Sequence, residues 1–375
     1  MDTLYLKNLS LVQFKNYTEA SLSFSKRINC FVGDNGVGKT NLLDAIHYLS
    51  LTKSYFNPVD QQNILHGKEM FMIRGEFERA GRNEKIYCSV RAGKKKVVQR
   101  NGKAYDRLAD HIGFLPVVMI SPADSALILE GSEERRKFMD TVISLYDKSY
   151  LHDLLRYNRV LLQRNKVLKN AFKTGLPASD DELALWDNQL IPPGERIFSV
   201  RQTFTEKLVP VFQEYYHKIS GENETVSLEY VSPLFEMSFP GLLMKNRDKD
   251  RILQYTSGGI HKDDLLMKLG GFSLKKTGSQ GQQKTFLVAL KFAKFAFIRE
   301  TNDIKPILLL DDIFDKFDPR RVTEIIRLVS ENEFGQIFIT DTHLDHLEGI
   351  LKQLDADYKV FKINEEIKII RQPVS

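Results

Sequence analysis

Residues 30–49 read CFVGDNGVGKTNLLDAIHYL, and this stretch decides the fold. Ile28 to Val32 is a short apolar run of the kind that forms a buried strand. Gly33, Asp34, Asn35, Gly36, Val37, Gly38, Lys39 and Thr40 then match G-x-x-x-x-G-K-[ST]. From Thr40 onward Leu42, Leu43, Ile46 and Leu49 recur at helical spacing, so strand, loop and helix follow in the order a phosphate-binding loop requires. Glycines let backbone N–H groups converge on a phosphate. The spacing puts Lys39 within reach of β- and γ-phosphates, and places the Thr40 hydroxyl and its neighbour Asn41 at the helix start, where Thr40 can ligate Mg²⁺. The expected ligands are ATP and Mg²⁺.

The chain has 375 residues, enough for two domains or one divided domain, and 42% of them are hydrophobic, enough for a full core. Its longest apolar runs are far short of a membrane span. The first residues, MDTLYLKNLSL, have neither a basic n-region nor a long apolar h-region, so no signal peptide is expected. Cys30 and Cys88 fit no pairing or metal-ligand pattern and read as core thiols in a reducing cytoplasm. Lys plus Arg exceed Asp plus Glu by 54 to 49, a mild excess that permits nucleic-acid binding without demonstrating it.

Along the chain the first third reads as β-rich. Phe71 to Phe77 and Ile86 to Val90 are strand-like, Asn101-Gly102 signals a type I′ hairpin, and Leu115 to Ile120 is an apolar strand stopped by Ser121-Pro122. The middle is helical. Ser132 with Glu133 and Glu134 reads as a capped helix start, and a leucine series including Leu151, Leu154, Leu155, Leu161, Leu162 and Leu168 keeps helical spacing to about Thr174. Pro192 and Pro193 should break the next helical segment, since proline lacks an N–H and clashes with the preceding turn. The end returns to α/β, with a stripe of Phe286, Ala289, Leu290, Ala293 and Phe297, a strand at Ile307 to Leu310, and further strands near Gln336 to Thr340 and Tyr358 to Ile370.

Ile307-Leu308-Leu309-Leu310-Asp311-Asp312 has the form of a Walker B strand, with its carboxylates at the end where α/β folds present ligands. Asp311 is expected to hold Mg²⁺, and Asp312 to orient or deprotonate the attacking water. Ser279-Gln280-Gly281-Gln282 opens the apolar helix above and resembles the ABC-type signature motif, which reaches the γ-phosphate bound by a second subunit. Asp318 falls at the spacing of a D-loop. Because the phosphate-binding loop and these motifs lie at opposite ends, the expected architecture is one α/β ATPase built from both chain ends. The expected divisions are 1–121, 122–284 and 285–375, the middle one a mainly helical insertion.

Nearly end to end, the chain resembles the RecF family, bacterial DNA replication and repair ATPases related to SMC heads. Phe14-Lys15-Asn16-Tyr17 is similar to the family's F-R-N-Y, with Lys15 for arginine, and residues 40–46 are similar to T-N-L-L-E-A-I, with Asp44 for glutamate. Residues 122–140 follow a family signature in Gly131, Arg135, Arg136, Phe138 and Asp140, departing at Ala123 and Glu133. Residues 258–265 resemble G-P-H-R-D-D-L with the proline position altered, and Ser279-Gln280-Gly281-Gln282-Gln283 matches outright. Asp315-Lys316-Phe317-Asp318 stands where the family has S-E-L-D. The resemblance implies an ABC/SMC-head-like fold and an ATP-dependent homodimer. It further implies binding of single-stranded and gapped double-stranded DNA, weak DNA-stimulated ATPase activity, and work with RecR and RecO in placing RecA.

Three questions stay open in the sequence. Lys94, Lys95 and Lys96, with Arg91, Arg100 and Lys103, cluster around the hairpin and read equally as phosphate contacts or as a solvated strand edge. Arg135 and Arg136 could face DNA, a phosphate, or glutamates one turn away. An H-switch histidine would follow the strand ending at Thr340, but Asp341 and Thr342 come before His343; a metal pair at His343 and His346 lacks further ligands nearby. The rival functions are an SMC-like tether, disfavoured because the middle helices read as short and proline-broken, an ABC transporter ATPase, and an ATPase fused to a nuclease, for which the chain has no spare domain with a metal-binding carboxylate cluster.

Overall fold

The computed structural model describes residues 3–221, 224–313, 319–330, 334–342, 357–364 and 367–372. In chain order the elements begin β1 (Leu4–Phe14), β2 (Tyr17–Ser23), β3 (Ile28–Val32), α1 (Lys39–Leu51), β4 (Met70–Arg79), β5 (Arg82–Arg91), β6 (Val97–Arg100), β7 (Lys103–Ala104) and β8 (Val117–Ile120). The helical stretch holds α2 (Ala126–Leu129), α3 (Ser132–Ser144), α4 (Lys148–Thr174), α5 (Asp180–Ser220), β9 (Val226–Val231), α6 (Phe239–Leu253), β10 (Asp264–Leu269), β11 (Phe272–Ser273) and α7 (Leu274–Thr277). Then come α8 (Gln280–Asn302), β12 (Ile307–Asp311), α9 (Pro319–Ser330), β13 (Ile337–Asp341), β14 (Tyr358–Ile363) and β15 (Ile367–Arg371).

The chain divides into two compact units: Met1–Asp124 with Lys218–Gly221 and Lys284–Ser375, and Ser125–His217 with Glu222–Gln283. The first unit contains two sheets. One is antiparallel in the order β2-β1-β4-β5-β6-β7, and the other runs β15-β14-β3-β13-β12-β8. In the second sheet β3, β8, β12, β13 and β14 are parallel, and β15 is an antiparallel edge. Parallel strands covered on both faces are apolar throughout, and β3, β8, β12 and β13 are buried at every residue. Helix α1 packs against strands of both sheets, so its residues are buried on all sides from Leu42 to Leu51. Asn101 and Gly102 both have positive φ, 51° and 84°, as the type I′ hairpin requires. Cys30 and Cys88 are free and buried, and burial pushes both thiols up to about 12, so neither is a nucleophile near neutrality.

The second unit holds the sheet β11-β10-β9 and the long helices. Four expectations fail here. Helix α5 runs 41 residues straight through Pro192, Pro193 and Pro210. A buried stripe explains it: Leu183, Asp187, Leu190, Gly194, Ile197, Arg201, Phe204, Leu208 and Phe212 keep helical spacing across the prolines. Burial over about eight turns outweighs about 3 kcal/mol per proline. Since α4 has 27 residues, the middle helices are not short either, and that ground against an SMC-like arm falls away. On α4 the buried side is Tyr150, Asp153, Tyr157, Val160, Arg164 and Leu168; of the leucine series only Leu168 lies on it, and Leu155 and Leu162 are exposed. Ser132 is the first residue inside α3, with Gly131 at the cap position and no side-chain cap bond.

Buried ion pairs hold these helices in register. Arg164 Nε lies 2.7 Å from Asp187 of α5 and its Nη1 2.7 Å from Asp250 of α6. Arg201 lies 2.8 Å from Asp140 and 2.7 Å from Asp263. Removing one partner from such a set strands a buried charge, which makes them specific anchors for α4, α5 and α6. Arg135 and Arg136 belong to the same scaffold. Arg135 forms a two-bonded pair with Asp264 at 2.6 and 3.0 Å, and Arg136 donates to Ser132 Oγ and the Asp263 carbonyl at 2.7 Å each.

Two buried histidines make a pH prediction. His47 hydrogen-bonds the Lys53 carbonyl, and His261 bridges the Thr256 carbonyl and the Tyr157 hydroxyl. Burial pushes both down to about 4. The folded value lies below the unfolded one, so their contribution is complete above pH 6.5 and drains away as pH falls towards 4. At pH 5, His47 alone should cost about 2 kcal/mol. The melting temperature should therefore fall between pH 7.5 and 5, and H47Q/H261Q should flatten the decline; an equally steep decline in that variant contradicts the assignment.

Candidate nucleotide-binding site

The site in the first unit is built by strand order. Strands β3, β13, β12 and β8 lie side by side and end together, with Asp311 in register with Thr340 and Thr340 with Phe31. The loop at residues 33–38 therefore leaves the sheet beside the carboxylate of β12, the position where open α/β sheets bind ligands. Helix α1 starts at Lys39, and its cap residue Gly38 has φ 110°. A side chain at Gly38 would strain the backbone and collide with Asn16, with the Tyr17 hydroxyl only 2.9 Å away. Gly33 is equally constrained, since a Cβ there would strike the Ile363 carbonyl oxygen.

The two-residue turn Lys15-Asn16 between β1 and β2 braces this loop. Asn16 Nδ2 donates to the Val37 carbonyl at 3.0 Å, Tyr17 donates to the Gly38 carbonyl at 3.1 Å, and Asn41 Nδ2 donates to Asn16 Oδ1 at 2.7 Å. Burial raises the Tyr17 hydroxyl well above its ordinary value, so it remains a donor. Lys15 reaches the fully buried Asp44 at 2.6 Å. These are the two residues at which the chain departs from F-R-N-Y and T-N-L-L-E-A-I. In this chain the two substituted positions face each other as an ion pair.

Lys39 Nζ donates to the carbonyls of Gly33 and Asp34 at 2.6 and 2.9 Å, and Asp34, Asn35 and Gly36 are exposed at the loop's tip. Thr40 Oγ1 donates to Asp311 Oδ1 at 2.7 Å. Thr340 Oγ1 also donates to Oδ1, at 3.0 Å, and Ser121 Oγ to Oδ2 at 3.3 Å. No Lys or Arg among the described residues pairs with Asp311. Burial pushes its carboxyl up, the three hydroxyls work the other way, and neighbouring Asp312 raises it further. A buried carboxylate ringed by hydroxyls suits a hard divalent cation, which takes oxygen ligands. Asp312 has φ 44°, and its backbone N–H donates to Thr340 Oγ1 at 2.9 Å. Thr340 thus ties both carboxylate residues to β13. Among the described residues no group of three or more His, Cys, Asp or Glu could hold a metal alone.

In the second unit, Ser279 and Gln282 form a reciprocal cap at the start of α8. Gln282 N–H donates to Ser279 Oγ at 3.3 Å, and Ser279 N–H donates to Gln282 Oε1 at 2.7 Å. Gln282 also donates to Glu224 at 2.5 Å, so its side chain is committed to the scaffold, whereas Ser279 and Gln280 are exposed and Gly281 is partly so.

A family model described as RecF/RecN/SMC N terminal domain matches residues 5–368. The DNA replication and repair protein RecF of Flavobacterium johnsoniae is 51% identical over 360 residues, 96% of this chain and 100% of that one. The chain belongs to the RecF family. RecF of Bacteroides thetaiotaomicron is 48% identical, covering 97% of this chain and 98% of its own. Among solved structures, "the recombination mediator protein RecF-ATPrS in RecFOR pathway" aligns with TM-score 0.88 at 30% identity, covering 99% of each chain. An Smc head aligns with TM-score 0.58 at 16% identity over 98% of this chain and 97% of its own, which shows a shared fold. The ABC/SMC-type α/β ATPase fold expected from the sequence therefore holds, and RecF-family membership carries with it an ATP-binding ATPase.

Other expected residues separate. Lys94 and Lys95 are exposed in the β5–β6 loop, but Lys96 is not available to a phosphate. Its ammonium lies 2.8 Å from Asp60 and 2.5 Å from the Thr52 carbonyl. Arg100 is likewise clamped by Glu84 at 2.9 and 2.7 Å. Asp318, His343 and His346 lie outside the described residues. No helix among the described residues is long and apolar enough to cross a membrane.

Proposed function

We propose that the protein is an ATP-dependent DNA-binding protein of replication and repair, acting in the cytoplasm as a homodimer that sandwiches two ATP molecules. Gly33 to Asn41 would cradle the phosphates, with Lys39 leaving its loop carbonyls for the β- and γ-oxygens. Thr40 and Asp311 would hold Mg²⁺, which supplies charge neutralisation on the phosphates. Asp312 would orient the attacking water and accept its proton. Ser279, Gln280, Gly281 and Gln282 of the second subunit would complete the site at the γ-phosphate through the exposed N-terminal end of α8, with Asp318 in the D-loop between subunits.

The observation that carries this reading is the convergence of Thr40, Ser121 and Thr340 on Asp311 beside the phosphate-binding loop. The relatives support the destination: they are named for DNA replication and repair, and the solved RecF structures for ATP and the RecFOR pathway. On that basis the dimer grips gapped DNA, cooperates with RecR and RecO in loading RecA, and is reset by slow hydrolysis. Turnover should rise when gapped duplex is added and stay unchanged with lipid vesicles. Turnover indifferent to DNA would argue against the repair assignment and for another kind of SMC-like or transporter-type subunit.

A further inference from the structure

Helix α4 carries seven Lys or Arg and one acidic residue, Asp153, and that aspartate is spent on Arg196 at 2.6 Å. Neighbouring α5 is the opposite: Asp180, Asp181, Glu182, Glu195, Glu206 and Glu214 are all exposed on it. The charge on α4 is also sorted by face. Arg164 is buried among the ion pairs described above, while Arg156, Arg159, Lys166, Lys169 and Lys173 are exposed. Their spacing of three, seven, three and four residues puts them on one side, opposite the buried stripe of Tyr150, Tyr157, Arg164 and Leu168. None of the five makes a hydrogen bond or an ion pair with any described residue. The loop lysines Lys94 and Lys95, by contrast, are only two.

We propose that this face of α4 is a track for the phosphate backbone of double-stranded DNA, an assignment that rests on the DNA-binding reading above. From Arg156 to Lys173 the helix rises about 26 Å at 1.5 Å per residue. A duplex lying along that length passes about three-quarters of a helical turn, and the phosphates of either strand meet the row where they face it. A straight, rigid row of cations suits a rigid duplex. Single-strand sites work differently, by stacking bases on aromatic side chains; here Tyr157 is buried and the exposed Phe172 is a lone ring on the flank of the row. The helix is held stiffly by Arg164 and its carboxylate partners, so the row is set before DNA arrives. Leu155 and Leu162 interrupt it without adding negative charge.

The test compares full-length wild type with R156Q/R159Q/K166Q/K169Q/K173Q by anisotropy of a labelled 30-base-pair duplex, with a non-hydrolysable ATP analogue, across 50–300 mM salt. Each lost phosphate contact removes about 0.9 from the log–log salt slope, so the variant should flatten it by about 2 to 4.5 and bind at least tenfold more weakly at low salt. The residues are exposed and unpaired, so the melting temperature should be unchanged. The charge-preserving R156K/R159K/K166R/K169R/K173R should keep the wild-type slope. An unaltered slope in the neutralised variant overturns the track while leaving the DNA-binding reading standing. Equal weakening in both variants also overturns it, because charge is then not the cause. A wild-type protein that binds no duplex removes both readings.

Discussion

Asp312→Asn should lower ATP turnover by at least two orders of magnitude while nucleotide affinity changes less than a few-fold. The residue follows the last position of β12 with φ 44°, a left-handed conformation that asparagine adopts as readily as aspartate. Its backbone N–H still meets Thr340 Oγ1, so the substitution leaves the chain's path intact. What disappears is the acceptor that would position the water and take its proton, a contribution of about 10²–10⁴ in rate. Binding and hydrolysis should come apart: the variant accumulates as an ATP-bound dimer. Single-turnover assays with parallel equilibrium binding check this, and wild-type turnover would remove Asp312 from the chemistry.

Lys39→Ala should abolish ATP binding, with a loss of affinity of at least a hundredfold. The Lys39 ammonium is almost wholly enclosed and held by two carbonyls of its own loop, so it is already positioned where the phosphates must lie. Hydrogen bonds from a charged donor are each worth about 1.5–3 kcal/mol, and two of them account for the expected loss. Asn16 and Tyr17 still brace the loop through Val37 and Gly38, so the fold should survive. Titration calorimetry is the measurement, and unchanged affinity would remove the loop from nucleotide binding.

The phosphate-binding loop was legible because everything it needs is local: an apolar strand, a glycine pattern and a helix within 24 residues, 28–51. The same holds for the hairpin at Asn101-Gly102 and for the apolar strand ending in Asp311. Ser121 and Thr340 were missed because their importance comes from strand order. Ser121 directly follows β8 and Thr340 is next to last in β13, and only the order β13-β12-β8 in space turns both hydroxyls towards Asp311. A hydroxyl at the end of an apolar strand is the signal that could have flagged them. Pro192 and Pro193 misled for a related reason. Their local cost is plain in the sequence, but the long buried stripe that outweighs it is not visible one turn at a time. Lys96 sat in a basic run that hid its partner, Asp60, which lies 36 residues away in sequence.

The claim on which the rest depends is that each catalytic centre is shared between two subunits. Lys39→Ala and Ser279→Arg variants, mixed, test it most directly. Each alone should be inactive, the first for want of a phosphate-binding loop and the second for want of a signature. In a mixed dimer one composite site pairs the intact Lys39 of one subunit with the intact Ser279 of the other. Random pairing should therefore restore about a quarter of wild-type ATPase activity. A mixture as dead as its components, or full turnover by the Ser279→Arg variant alone, would contradict the shared site.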